Sequence, residues 1–155
     1  MAEGRASIAK HPLHPMLVVF PIGLWVAALA FDIVETVTGN PLWRTLAFWN
    51  IIGGIVGALV AAVPGFLDYP GRAGRAGRIA TWHMVLNLAA VALFAVNAFI
   101  RLRVNADSSW PLVLSVVGVV GGFVSGWLGG ELVYVERFGV VEPKDARQGR
   151  PRRAA

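Results

Sequence analysis

The chain contains no cysteine. That absence excludes disulfides, thiolate zinc sites, iron–sulfur clusters and thioether-linked c-type haem, so any bound metal must be held by histidine, carboxylate or carbonyl groups. Charge is scarce too: Asp, Glu, Lys and Arg make up 15% of the 155 residues, against 56% hydrophobic residues and a mean hydropathy of +0.62. Soluble domains carry about 25% charged residues, so a single membrane domain with short polar ends fits this composition better. The formal net charge of +5 is spread over loop ends and the C-terminal tail. With no stacking-aromatic platform or recognition motif beside it, the charge argues against a nucleic-acid partner and for orientation in a lipid bilayer.

What is present is apolar length. Four apolar spans, residues 16–37, 47–67, 79–100 and 110–133, stand out. Each has about 20 residues, the length that a helix rising ~1.5 Å per residue needs to cross ~30 Å of hydrocarbon. Breaker clusters separate them: Thr38-Gly39-Asn40-Pro41, then Asp68-Tyr69-Pro70-Gly71 with the Arg-Ala-Gly repeat after it, then Asn105-Ala106-Asp107-Ser108-Ser109. The expected fold is all-α, a four-helix transmembrane bundle running up-down-up-down. An N-terminal segment (1–15) carries HPLHP, the membrane domain covers 16–134, and the tail (135–155) is polar and basic, with disorder expected after Gly139. Ala28-Leu29-Ala30 resembles a signal-peptide cleavage site, but the apolar run continues past it, so the first span is read as a helix.

Basic residues set the expected orientation. Arg5, Lys10, Arg72, Arg75, Arg78, Arg137, Lys144, Arg147, Arg150, Arg152 and Arg153 fall on the face that holds both termini and the second loop; only Arg44, Arg101 and Arg103 fall on the other. The positive-inside rule then places both termini in the cytoplasm, with Trp43, Trp49 and Trp110 at the outer interface and Trp82 and Trp127 nearer the inner one. Two glycine ridges run at four-residue spacing, Gly53, Gly57, Ala61 and Gly65 on helix 2 and Gly118, Gly122, Gly126 and Gly130 on helix 4. Such ridges let backbones approach closely, within the bundle or between two copies, or form a smooth wall for a flat cofactor.

The polar residues gather at the two ends. At the inner one, His11 and His14 each precede a proline and are expected to be extended, with Pro15 opening helix 1. His83, one turn before Asn87, lies at the same depth near the start of helix 3. Asp68 and Glu131 end helices 2 and 4, at the negative end of each dipole, and need a compensating cation. Taken singly, Asp68 would cap the Tyr69-Pro70-Gly71 turn and pair with an arginine, and Glu131 would pair with Arg137. Together, all three histidines and both carboxylates fall on one membrane face, and intramembrane ionisable groups are costly enough that such convergence points to function. Asp32 and Glu35 belong to the outer end with Asn50, Asn97 and Arg101. His14 and Asp32 are about five turns apart, roughly 27 Å, and cannot share one small site. Asp32 is expected to pair with Arg101 or Arg44.

HPLHPMLVVFPIG at residues 11–23, PGFLDY at 64–69, His83 with Asn87, and GWLGGELVY at 126–134 together resemble the bacterial membrane family catalogued as domain of unknown function 2231. The likeness covers all four helices, and the paired HP motif is its most specific part; VERFG at 135–139 departs from the expected shorter ending. It implies a four-helix protein of the bacterial inner membrane without an assigned activity or catalytic residue. Relatives joined to Rieske-type domains lean toward redox work.

Several functions compete. The favoured one is a haem b electron-transfer component with His14 and His83 as axial ligands, Arg72, Arg75 or Arg78 pairing with propionates, and a redox partner protein. A second is a non-haem site for zinc, iron, copper or manganese, built from His11, His14 and His83 with Asp68 or Glu131; an enzyme would need an open coordination position there. A third is a structural or assembly subunit without cofactor, marked by a glycine ridge facing lipid, where a homodimer could form. A transporter is weaker, because no broken span or inverted repeat is evident.

Overall fold

The computed structural model describes residues 6–9, 11–69, 73–103, 108–138 and 140. Four long helices form the body: α1 (Leu13–Thr38), α2 (Pro41–Asp68), α3 (Gly74–Arg101) and α4 (Trp110–Val135). Each is long and apolar enough to cross a membrane. A two-stranded antiparallel hairpin, β1 (Ser7–Ile8) and β2 (His11–Pro12), precedes them.

Local chemistry explains the boundaries. Gly39 ends α1 in the left-handed region at φ 66°, its N–H reaching the Glu35 carbonyl, and Asn40 caps α2 by accepting from the Leu42 N–H at 3.0 Å, with Pro41 in the first turn. Within α1 a break at Val18 separates a turn at Leu13–Leu17 from the run Val19–Thr38. Pro21 accounts for it, since a proline ring clashes with the carbonyl four residues earlier, here Leu17. The last turn of α4, Glu131–Val135, widens into a π-helix.

One expectation is corrected here. His11 is extended in β2, but His14 is helical, in the first turn of α1. Pro15 tolerates this because first-turn N–H groups have no intrahelical acceptor to lose.

Successive helices run antiparallel. The starts of α1 and α3 and the ends of α2 and α4 meet at one end of the bundle, tied by Ala6 N–H to Asp68, Tyr69 to Thr81, and His83 to the Ser125 carbonyl. α1 packs on α2 and α3 on α4, while α1 and α3 face each other diagonally across the centre. The interior is narrow, built on Trp25, Ala28, Ala47, Ile51, Phe94, Ala98 and Val119. Outward-facing Val, Leu and Phe cover the sides, and Trp49, Trp82, Trp110 and Trp127 project outward near the ends. Lipid-facing apolar sides and interfacial aromatics are what a spanning bundle requires.

The centre carries a two-fold pattern. His14 meets His83, Trp25 stacks on Phe94 at 4.2 Å, and Asp32 pairs with Arg101, and in every case the partners are 69 residues apart. Residues that contact their own equivalents lie on the relating axis. Three such pairs at successive depths along α1 therefore set an axis parallel to the helices, relating α1–α2 to α3–α4. The second helices obey the same relation: Gly54 gives way to the Trp25 ring and Gly118 to the Phe94 ring, where an added Cβ at Gly118 would lie 2.6 Å from Phe94. The chain is thus a tandem pair of helical hairpins.

Candidate functional site: a histidine pair on the central axis

At the histidine end, α1 and α3 each supply one imidazole, and each ring is seated on the neighbouring helix in the same manner. The His14 Nδ1–H donates to the Ala61 carbonyl at 2.8 Å, and the ring lies over Gly65, where a Cβ would come within 2.9 Å of Nδ1. His83 Nδ1–H donates to the Ser125 carbonyl at 2.8 Å, and that ring lies over Gly129, with 3.1 Å to a Cβ there. In both cases the acceptor sits one turn before the glycine, so a helix backbone supplies anchor and clearance together. The ring centroids are 6.1 Å apart with planes at 90°.

These bonds settle the proton positions. Asn87 Nδ2 lies 2.9 Å from the His83 carbonyl, a contact that only the amide nitrogen can make as donor, and 3.1 Å from His83 Nε2. The amide donates to both, so His83 carries its proton on Nδ1 and offers Nε2 as acceptor. Among the described residues none hydrogen-bonds His14 Nε2. Ser125 Oγ, buried, lies 3.1 Å from His83 Nδ1 and donates to the His83 carbonyl at 3.4 Å. It is no activated nucleophile, because the nitrogen it faces already holds a proton and cannot act as its base.

The other residues expected in this cluster stand apart. His11 is exposed and donates from Nδ1 to the Ala9 carbonyl at 2.9 Å within the hairpin. Asp68 accepts from the Ala6 N–H at 3.0 Å, fastening the hairpin to the end of α2 instead of only capping its own turn. Glu131 pairs with Arg75 at 2.5 Å, not with Arg137, and Arg75 also reaches Glu136 at 3.1 Å. Arg78 is exposed on the first turns of α3, and Arg72 lies outside the described residues. Among the described residues no group of three His, Asp or Glu side chains converges as a metal would require. Of the five expected ligands, only His14 and His83 come together.

The opposite end holds a separate polar centre. Arg101 binds Asp32 through two N–H groups at 2.8 and 2.7 Å, with the side chains only 3% and 6% exposed. Ser115 donates to Asp32 at 2.7 Å, Asn97 accepts from Arg101 Nε at 3.0 Å, and Asn97 donates to Ser115 and to the Pro111 carbonyl. Asp32 takes Arg101 as expected, and Arg44 pairs with Glu35 at 2.6 Å. A buried bidentate ion pair with both charges further hydrogen-bonded is a cross-brace between the two hairpins.

The expected glycine ridges divide by use: Gly65 and Gly118 receive rings, whereas Gly122 and Gly126 meet nothing within 4 Å. Gly54 and Gly129, which seat the Trp25 and His83 rings, lie outside those ridges. Sequence reasoning missed Ser115, Ser125 and the ring pair Trp25–Phe94. The signal was the equal spacing of His14 to Asp32 and His83 to Arg101.

Fold and site together define an integral membrane protein of four spanning helices with a histidine pair on its axis. The family model described as "Predicted membrane protein (DUF2231)" matches residues 10–142, and the chain belongs to that family. No curated protein and no solved structure matches it.

Proposed function

We propose that this protein is a redox component of the bacterial inner membrane in which His14 and His83 bind haem b. The observation that carries the reading is the pair itself: two imidazoles from diagonally opposed helices, each anchored through Nδ1, 6.1 Å apart between centroids. Ligating histidines commonly donate their second ring N–H to a carbonyl, which fixes the ring and the tautomer. Anchoring through Nδ1 leaves Nε2 of each ring as the nitrogen that would hold the haem iron. Haem iron needs only two protein ligands, because the porphyrin fills its other positions. A zinc, iron or manganese ion held by protein alone needs more donors, and His11, Asp68 and Glu131 are engaged elsewhere. Bound haem would supply one-electron chemistry; the chain's part is to orient two nitrogens and exclude water. Arg78 and Arg75 would be the cationic rim for propionates, with Arg75 sharing its charge with Glu131 and Glu136.

The excess of basic residues at this end supports a cytoplasmic placement for both termini. Electron transfer then calls for a redox partner protein at that face. The open stretch Gly122 and Gly126 supports association of two copies along α4.

The test is an absorption spectrum with metal analysis on detergent-purified protein, expressed with haem and metals supplied. A Soret band lost in both His14→Ala and His83→Ala is the expected result. Colourless protein with stoichiometric copper would favour a two-imidazole Cu(I) site instead, and neither band nor metal would leave a cofactor-free scaffold.

A further inference from the structure

The two halves are equivalent about the central axis, but their histidines are not equally available. One turn beyond His83, Asn87 places both amide hydrogens on that residue, one on its carbonyl at 2.9 Å and one on ring Nε2 at 3.1 Å. The first bond is local and unremarked in a helix; Asn50 makes the same one to Leu46 in α2. The second covers the only lone pair on the ring. Across the axis the position equivalent to Asn87 is Val18, which has no side-chain donor. The fold therefore presents one capped imidazole and one open imidazole in otherwise matching seats.

We propose that Asn87 is a positioning residue that caps the ligating nitrogen of His83, so that an incoming metal centre takes His14 first and completes its second bond only when the Asn87 amide turns away. The cap is a property of the protein alone, while the order of ligation rests on the haem or metal reading above. Without a ligand the amide satisfies the Nε2 lone pair and keeps the His83 proton on Nδ1. Ligand binding must break one neutral hydrogen bond, so removing the cap raises affinity. A residue that merely supported the helix would lower affinity when removed, and the sign separates the two roles.

The variant is Asn87→Val, which copies Val18 and replaces the amide with an apolar side chain of similar size; Asn87→Ala is the second variant should the first misfold. In ligand-free protein, diethyl pyrocarbonate acylates imidazole nitrogens with a free lone pair, and mass spectrometry follows each histidine. His83 is expected to react about threefold faster or more in Asn87→Val, with His14 unchanged; an unchanged His83 rate overturns the cap. Hemin titration, read at the Soret band, is expected to show about three- to tenfold tighter binding in the variant, the range that one net hydrogen bond spans. Equal or weaker binding by a variant that unfolds at the wild-type temperature overturns the order of ligation. If the wild type takes up no hemin or copper, the reading of the site falls, and the acylation rates alone still decide the cap.

Discussion

Replacing Arg101 with methionine isolates the cross-brace. The guanidinium and the Asp32 carboxylate are 3% and 6% exposed, so the variant strands a carboxylate in the interior with Ser115 as its remaining donor. Removing one partner of a buried ion pair costs about 3–5 kcal/mol, because the other charge keeps its desolvation penalty and loses its compensation. For a chain of this size each kcal/mol lowers the melting temperature by roughly 2–4 °C, so a fall of roughly 6–20 °C in thermal unfolding in detergent is expected. The two-fold relation supplies the control. Asp32 and Arg101 occupy equivalent positions, and the exchange Asp32→Arg with Arg101→Asp restores a pair across the axis. Recovery should be incomplete, since Ser115 donates to Asp32 and Asn97 accepts from Arg101, and neither has an equivalent in the first hairpin. A loss under 1 kcal/mol for Arg101→Met, or an exchange variant no more stable than the single variants, would refute the brace.

Gly65→Ala and Gly129→Ala place a methyl within 2.9 Å of His14 and 3.1 Å of His83 and should cost about 1–3 kcal/mol, whereas Gly122→Ala meets nothing and should be neutral for the monomer in the same melting assay. Loss of stability in Gly122→Ala but not in Gly65→Ala would contradict the assignment of the seats. Trp25→Ala removes a ring stacked on Phe94 and seated on Gly54, and should cost about 3–5 kcal/mol by detergent unfolding. Arg75→Ala breaks ion pairs whose arginine is 59% exposed, so its melting temperature should move by less than the change that about 1 kcal/mol produces.

The helices were legible because span length and hydropathy are set by the bilayer, which acts on each span separately. The meeting of His14 and His83 was legible for a related reason: depth can be counted along a helix. What depth cannot give is the direction of a side chain. Asp68 and Glu131 lie at the depth that sequence places them, yet Asp68 turns to the backbone of a hairpin that no periodicity announced, and Glu131 meets Arg75 from a different helix. His14 was misread for a local reason, since the bias of a residue before proline away from helix gives way in a first turn. Glycine spacing found the close approaches at Gly65 and Gly118 but missed Gly54 and Gly129 and included the open Gly122 and Gly126, because a glycine that seats a ring and one that faces outward look alike in sequence.

The duplicated architecture also explains why the paired residues are of such different kinds. A residue on a two-fold axis faces its own equivalent, so an exact duplicate would set Asp against Asp or Arg against Arg, and two like charges in a low-dielectric interior repel strongly. Uncharged rings tolerate such contacts without that penalty, and rings of like kind meet at two of the three positions: Trp25 against Phe94 and His14 against His83. Where charge sits on the axis, the halves carry opposite signs, and where a hydrogen-bond donor is needed beside it, only one half supplies Asn97 and Ser115. Span packing alone does not call for charge at these positions, since Leu or Val would fill them at lower desolvation cost. The imidazole pair braces no charge: each ring ties its helix to the next through Nδ1, His14 to the Ala61 carbonyl and His83 to that of Ser125. Those bonds leave the Nε2 of each ring outside the helix-to-helix bonding, and Nε2 is the nitrogen that the proposed haem site would use.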